Sequence, residues 1–222
     1  MENTDAPHAR VRTGHYEIIL AVFCALLLIS NVSAVKLIAF DLGPWQVITD
    51  GGAFLFPLTY ILGDVLAEVF GFRAARRAIV VGFAVSVLAS LSFFLVQHAP
   101  PASGWGNQEA FESILGFVPR IVLASLCGYL VGQLMNAYLL VAIKRRTQEG
   151  NLWARLLGST VVGEFFDTLV FCTIAFYGVI TGGDFVNYVV TGYIYKCAVE
   201  VIFLPVTYGV VGWIKKREPS YG

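Results

Sequence analysis

Long apolar stretches, separated by short polar connections, make up most of this chain. Six of them approach the roughly 20 residues that a helix needs to cross a bilayer core of about 30 Å. Leu, Val, Ile, Phe and Ala follow one another without the apolar–polar alternation of a barrel strand, which predicts helices. The predicted helices cover about residues 17–40, 53–70, 78–97, 120–143, 156–180 and 187–214. Residues 1–222 are therefore expected to form a single all-α integral membrane domain. The longest connection, residues 97–119, is expected to be an ordered loop or a short interfacial helix.

The composition supports a membrane location and argues against soluble classes of protein. Hydrophobic residues make up 57% of the chain and charged residues 14%, where about 25% charged is usual in soluble domains. So few charges cannot cover a soluble globule, and the net charge of zero offers no general attraction to nucleic acid. The four cysteines lack zinc-ligand spacing. We therefore expect no soluble enzyme, no nucleic-acid binder, and no metal or cofactor.

Positive charges are unevenly distributed among the connections. Twelve of the 15 Lys and Arg residues lie in four regions that face one side of the membrane if the chain crosses it six times. The four regions contain Arg10 and Arg12; Arg73, Arg76 and Arg77; Lys144, Arg145, Arg146 and Arg155; and Lys215, Lys216 and Arg217. The positive-inside rule then predicts that both termini are cytoplasmic.

Polar side chains inside the apolar segments are the strongest functional candidates, because an intramembrane charge is costly and usually functional. Three pairs are spaced so that both members lie on one face of a helix: Asp64 with Glu68, Glu164 with Asp167, and Lys196 with Glu200. At 1.5 Å per residue, most of these residues fall near the middle of the membrane. The pattern predicts a central substrate site formed by Asn31, Lys36, Asp64, Glu164, Asp167, Lys196 and Glu200.

Some of these residues also have a structural interpretation. Glu68 fits a structural partner of Arg73 and Arg77, and Lys36 could equally extend its ammonium group to the membrane surface. The ionisable residues of the fifth and sixth segments lie several residues from a helix end, which favours function. Carboxylates outnumber lysines in the spans, and a buried unpaired carboxylate needs a proton or a hydrogen-bond donor. A neutral ligand rich in N–H groups fits this balance better than an anion.

Several stretches carry a resemblance to a known family. Residues 50–60 (DGGAFLFPLTY) and 63–71 (GDVLAEVFG) resemble the signature of the bacterial queuosine precursor transporter family, also called the vitamin uptake transporter family. The resemblance covers nearly the whole chain, from about residue 17 to 213. Its further positions are Ser30, Asn31, Lys36, Asn136, Lys144, Arg145, Arg146, Arg155, Ser159, Thr160, Glu164, Asp167, Thr168, Tyr195, Lys196, Glu200 and Pro205.

The resemblance implies import of 7-deazaguanine precursors of queuosine across the bacterial inner membrane, chiefly 7-cyano-7-deazaguanine and its 7-aminomethyl relative. It also implies a six-helix bundle like the substrate-binding subunits, or S-components, of energy-coupling-factor vitamin transporters. The polar residues are compatible with such a substrate. A guanine-like edge presents adjacent N–H and NH2 donors beside a carbonyl acceptor, so a carboxylate can accept both donors while a lysine or an amide serves the carbonyl. Candidate aromatic side chains for stacking on the ring are Phe56, Tyr60, Tyr193 and Tyr195.

Three other functions are alternatives to import by an autonomous carrier. A substrate-binding subunit of an ATPase-coupled vitamin or nucleobase transporter is the main alternative, and the small-residue spacing of Ala21 and Ala25 offers it weak support. A membrane-embedded enzyme would need a nucleophile–base set or a metal motif, and neither is present. A purely structural membrane protein has little reason to keep ionisable residues at one depth. A homodimer is expected, because six helices are few for an alternating-access carrier.

Overall fold

The computed structural model of the protein describes residues 14–43, 45–147 and 152–217. Within these residues it is mostly helical, with one two-stranded antiparallel sheet and a short 3₁₀ helix. The elements are α1 (Tyr16–Ser33), β1 (Leu37–Leu42), β2 (Trp45–Asp50), the 3₁₀ helix (Gly51–Phe54), α2 (Phe56–Phe70), α3 (Phe72–Gln97), α4 (Gln108–Leu115), α5 (Val118–Thr147), α6 (Leu152–Phe176) and α7 (Gly182–Lys215).

Four segments of the described residues are long and apolar enough to cross a membrane. They are Tyr16–Ser33, Phe72–Gln97, Gln108–Asn136 and Gly182–Lys215. The chain is therefore a helical membrane protein. Helix α2, with 15 residues, is shorter than the roughly 20 that a perpendicular span requires, and six crossings stay a prediction.

The predicted orientation depends partly on residues outside this description. Arg10 and Arg12 lie outside the described residues, and so do the side chains of the basic group at residues 144–146 and of Arg155. The cytoplasmic position of both termini therefore also stays a prediction.

The first predicted helix was wrong beyond Ser33. Residues 37–50 form a β-hairpin in which Leu37 pairs with Asp50, and Gly43 adopts a positive φ of 65° at the turn. Its strands are rich in residues with high strand propensity. A continuous apolar run does not distinguish a buried strand from a helix by periodicity, which is why the sequence suggested a helix to residue 40. Lys36 consequently lies in the exposed turn between α1 and β1, not on a helix.

Other boundaries also differ from the prediction. Helix α6 ends at Phe176 rather than near residue 180, and α7 begins at Gly182 rather than near residue 187. Helix α3 begins at Phe72 rather than near residue 78, because only Gly71, with a φ of 83°, separates it from α2. The three arginines of this connection are therefore part of α3. Helix α4 supplies the short helix that was one of two expectations for residues 97–119.

Two apolar cores lie at different levels of the bundle. One joins α1, α2 and α3 to the C-terminal part of α7, with Val65, Leu66 and Val211 among its members. The other joins α5 and α6 to the N-terminal part of α7 and to β2, with Phe176 and Tyr188 among its members. Lys196 and Glu200 lie between Tyr188 and Val211 on α7. The polar residues of α7 are therefore enclosed between two well-packed regions.

Candidate functional site

Lys196 of α7 is the centre of a polar cluster between three helices. Its ammonium group forms an ion pair and a hydrogen bond with Asp167 of α6, and lies 3.8 Å from Glu164 Oε2. It also lies 5.4 Å from the centroid of the Phe56 ring of α2. The three charged side chains are only about one-fifth exposed. We call Phe56, Glu164, Asp167 and Lys196 the Lys196 cluster.

The two carboxylates of the Lys196 cluster are not equivalent. Asp167 is directly hydrogen-bonded to the ammonium group. Glu164 Oε2 is buried and has no hydrogen-bond partner among the described residues, although it lies within ion-pair distance of Lys196. A carboxylate oxygen has lone pairs for N–H donors, and a buried acceptor without a donor is unfavourable. Glu164 is therefore the acceptor in the cluster with unused capacity.

Close packing of α5 against α6 determines where Asp167 lies. A Cβ atom added at Gly132 of α5 would lie 2.8 Å from Asp167 Cβ and 2.9 Å from the Gly163 carbonyl oxygen. A Cβ added at Gly128 would lie 2.9 Å from the Asp167 carbonyl oxygen. Glycines four residues apart allow two helix backbones to approach this closely. This spacing is visible in the sequence, but the sequence interpretation made no use of it.

Glu200 belongs to a second polar group one turn along α7. Its Oε1 accepts a hydrogen bond of 3.0 Å from the Tyr60 hydroxyl of α2, and Asp64 lies within electrostatic range of it. The spacing of Lys196 and Glu200 suggested a pair along one helix. Among the described residues, the ion pairs of Lys196 instead run to α6.

Asp50, at the end of β2, is a buried acid that the sequence interpretation missed. It is 9% exposed, accepts a hydrogen bond of 2.8 Å from the Gly52 amide, and accepts another from the Tyr188 hydroxyl. Burial raises the pKa of the Asp50 carboxyl above its ordinary value, and the two hydrogen bonds oppose this shift only in part. An aspartate before two glycines is a typical N-cap, which was the available signal. Its burial depends on Tyr188, which is distant in sequence.

Further contacts attach the hairpin and the 3₁₀ helix to α7. The Asn187 side chain accepts from the Ile48 amide at 3.0 Å and donates to the Gln46 carbonyl at 2.6 Å. The Tyr195 hydroxyl donates to the Ala53 carbonyl at 2.8 Å. These bonds hold residues 46–53 against the part of α7 that precedes Lys196, and Asp50 lies within electrostatic range of Lys196.

The predicted aromatic residues divide into two groups. Phe56 lies at Lys196 and Tyr60 at Glu200, with their ring centroids 6.1 Å apart. Tyr193 packs edge-on against Phe165 and donates to the Val161 carbonyl at 3.2 Å, so it joins α7 to α6. Tyr195 is likewise bonded to backbone. Of the four predicted aromatic residues, Phe56 and Tyr60 of α2 are thus the ones that lie next to Lys196 and Glu200.

Two other predicted site residues have partners or positions apart from these groups. Asn31 is buried, donates to Ser86 Oγ at 3.4 Å, and accepts from Ser125 Oγ at 3.0 Å, so it connects α1 to α3 and α5. Exposed Lys36 lines a cavity of about 620 Å³ between the end of α1 and α4. Neither is brought into the Lys196 cluster.

Glu68 has a structural partner, as its alternative interpretation suggested, but a different one. Its Oε1 accepts a hydrogen bond of 2.7 Å from the Lys215 ammonium group of α7, rather than pairing with Arg73 or Arg77. This contact joins the ends of α2 and α7.

The chain was also compared with known proteins. Residues 50–210 match the family model described as "Putative vitamin uptake transporter". The chain belongs to this family. A "Probable queuosine precursor transporter" of Bacillus subtilis (strain 168) is 35% identical over 172 residues, which is 76% of this chain and 74% of that protein. The "Queuosine precursor transporter" of Escherichia coli (strain K12) is 29% identical over 195 residues, which is 86% of this chain and 84% of that protein.

Family membership identifies a multi-pass transporter of the bacterial inner membrane rather than an enzyme. The resemblance noted in the sequence is therefore confirmed. No solved structure matches this family member, so its likeness to an S-component bundle stays a prediction.

Proposed function

We propose that this protein imports a queuosine precursor, 7-cyano-7-deazaguanine or its 7-aminomethyl relative, and binds it at the Lys196 cluster. The names of the relatives support the substrate class. The observation that carries the site is the buried Glu164 Oε2 without a hydrogen-bond partner, beside a lysine that Asp167 already engages. An acceptor and a donor with spare capacity lie side by side there, as a guanine-like edge requires.

The chemistry of binding follows from this asymmetry. Glu164 accepts the adjacent N–H and NH2 donors of the ring, and Lys196 donates one of its remaining hydrogens to the ring carbonyl. Asp167 orients the ammonium group. Its proposed role is therefore to position Lys196, while Glu164 accepts the donor edge of the ligand. The uncharged 7-cyano compound adds no charge to a site that already holds two carboxylates and one lysine.

The flanking residues complete the proposed site. Phe56 offers a flat apolar face beside Lys196, and base–aromatic stacking contributes about 1–3 kcal/mol per base in nucleic-acid binding proteins. Tyr60, Asp64 and Glu200 form the next polar level along α2 and α7. Asn31 is assigned to helix packing because of its hydrogen bonds to α3 and α5. Lys36 is assigned to the cavity between the end of α1 and α4 because its side chain is exposed.

We further infer six membrane crossings with both termini in the cytoplasm, formed by α1, α2, α3, α5, α6 and α7. The basic residues at the start of α3 and the end of α7 support this orientation. A homodimer is proposed because six helices are few for a self-contained carrier.

Uptake of radiolabelled 7-cyano-7-deazaguanine by proteoliposomes that contain only this chain tests the function. We expect saturable uptake without an ATPase, competed by unlabelled substrate. Losing a charged hydrogen-bonding partner costs about 1.5–3 kcal/mol, so Glu164→Gln should weaken binding roughly tenfold to a hundredfold. Glu109→Gln, at an exposed site on α4, is the matched control and should behave as wild type. Absence of uptake unless an ATPase module is added would favour the substrate-binding subunit instead.

A further inference from the structure

Thr168 of α6 has a hydroxyl group that is enclosed by protein and meets no hydrogen-bond partner in the part of the chain that the structure describes. The residue is 2% exposed, and its Oγ1 is among the buried polar atoms without a partner in the described part of the chain. Burying a hydroxyl without a hydrogen bond is unfavourable. A ligand that bonds to Oγ1 would remove this cost.

Several other helical hydroxyls in this protein avoid that cost by bonding to the backbone carbonyl four residues earlier, a usual arrangement for Ser and Thr in helices. Ser86 bonds to the Gly82 carbonyl at 3.0 Å, and Ser90 to the Ser86 carbonyl at 2.9 Å. Thr173, on the same helix as Thr168, bonds to the Leu169 carbonyl at 2.7 Å. Thr168 does not make this bond, although its own helix supports it one turn later.

The position of Thr168 relates it to the Lys196 cluster. It follows Glu164 by four residues, so the two side chains lie on one face of α6, about one helical pitch of 5.4 Å apart. A Cβ atom added at Gly192 of α7 would lie 3.5 Å from Thr168 Cγ2 and near no other atom within 4 Å. Gly192 precedes Lys196 by one turn. Thr168 therefore faces α7 where α7 carries no side chain, at the level next to the Lys196 cluster.

Two buried polar atoms without partners, Glu164 Oε2 and Thr168 Oγ1, thus lie on successive turns of one helix face. Beyond them along α7 lies Tyr188, which is bonded to Asp50. Along the direction of α7, Thr168 therefore lies between the Lys196 ion pair on one side and the Asp50–Tyr188 hydrogen bond on the other.

We infer that Thr168 is a further substrate-binding residue, whose hydroxyl bonds to a polar group of an uncharged fused-ring heterocycle adjacent to the edge that Glu164 accepts. This inference rests on the proposed function. It requires a flat ligand with polar groups on two adjacent edges. A hydroxyl both donates and accepts, so Thr168 serves either a ring N–H or an acceptor substituent on the five-membered ring.

Thr168→Val tests the inference, because valine keeps the shape and removes the hydroxyl. The matched control is Thr207→Val on α7, since Thr207 is also buried, at 6% exposed, and its hydroxyl also lacks a partner. Thr207 lies one turn from Val211 of the apolar core, away from the Lys196 cluster. Binding of 7-cyano-7-deazaguanine to the purified full chain is measured for wild type and each variant, together with thermal stability.

We expect Thr168→Val to weaken binding about threefold to tenfold and Thr207→Val to leave it unchanged. Thr168→Ser should bind better than Thr168→Ala, and this second pair isolates the hydroxyl if the valine variant folds poorly. Equal binding by wild type and Thr168→Val, or by the serine and alanine variants, would overturn the inference alone. Failure of the wild type to bind the substrate at all would overturn the proposed function with it.

Discussion

Lys196 of α7 forms its close ion pair with Asp167 of α6, not with Glu200 one turn along its own helix. The pair joins two helices that are consecutive in the chain, and it leaves Glu200 to Tyr60 of α2. As a result, the two acids beside Lys196 divide into an engaged one, Asp167, and a neighbouring one, Glu164, whose buried Oε2 has no hydrogen-bond partner among the described residues. This division underlies the proposed binding site.

Removing one partner of the Asp167–Lys196 ion pair should destabilise the protein more than replacing both partners does. Asp167→Asn leaves Lys196 without its closest partner and should lower the free energy of unfolding by about 2–3 kcal/mol. That is below the roughly 3–5 kcal/mol of a fully buried pair, because each side chain is one-fifth exposed. The double variant Asp167→Asn/Lys196→Met should recover part of this loss, with a coupling energy of about 1–3 kcal/mol, measured by unfolding in detergent.

A cycle on Glu68 and Lys215 is the control for that measurement. Glu68 is 62% exposed, and exposed ion pairs typically contribute less than about 1 kcal/mol. Equal coupling energies in the two cycles would contradict a special strength of the Asp167–Lys196 pair.

Asp50 should connect the stability of the hairpin to pH. Its carboxyl has a pKa that burial raises above the ordinary value of 3.8, so the folded state favours the protonated form. Protonated Asp50 therefore contributes its full stability to the folded state below the ordinary pKa. This contribution is lost as pH rises from the ordinary pKa through the raised pKa of the folded state. Asp50→Asn keeps an acceptor for the Gly52 amide and cannot ionise. The variant should therefore gain stability relative to wild type as pH rises above about 4.

Thermal unfolding of both proteins over a pH series measures this difference. Asp41→Asn, at an exposed position of the same hairpin, provides the comparison and should show no such trend. A difference between wild type and Asp50→Asn that is constant with pH would contradict the prediction.

Gly132→Ala should disturb the site from the neighbouring helix. The new methyl group would lie 2.8 Å from Asp167 Cβ, so α5 and α6 must separate. Overpacking of this kind costs about 1–3 kcal/mol and moves Asp167 away from Lys196. We expect lower stability together with weaker substrate binding, measured by unfolding and by uptake in proteoliposomes.

Gly209→Ala on α7 is the matched change, because a Cβ atom there meets nothing within 4 Å. Alanine has the higher helix propensity, so this variant should be neutral or slightly more stable. If both alanine variants behave alike, close packing at Gly132 does not position Asp167.

The proposed topology predicts that a reporter active only in the periplasm stays silent when fused after the last residue. The expected cytoplasmic C-terminus follows from the basic residues near the end of α7 and the positive-inside rule. A cytoplasm-active reporter at the same position should give signal and is the positive control. A clear periplasmic signal would contradict both the six crossings and the orientation.

The sequence by itself determined the features that depend on local composition. Apolar length identified a helical membrane protein, since a span must satisfy its own backbone hydrogen bonds in a bilayer, and the cost of an intramembrane charge made Glu164, Asp167 and Lys196 candidates. The motif at residues 50–71, taken together with the further matching positions along the chain, indicated the family. None of these conclusions required knowing which helices are neighbours.

The tertiary structure decided what depends on contacts between distant residues. The apolar run after Ser33 is compatible with helix or strand, and Asn187 of α7 contributes the hydrogen bonds that hold it as a hairpin. Asp50 becomes a buried acid only because Tyr188 and the 3₁₀ helix enclose it. Asp167, the close partner of Lys196, packs against Gly132, whose missing side chain lets α5 and α6 approach. Packing and hydrogen bonding at long sequence separation have no local pattern, so only the folded chain reveals them.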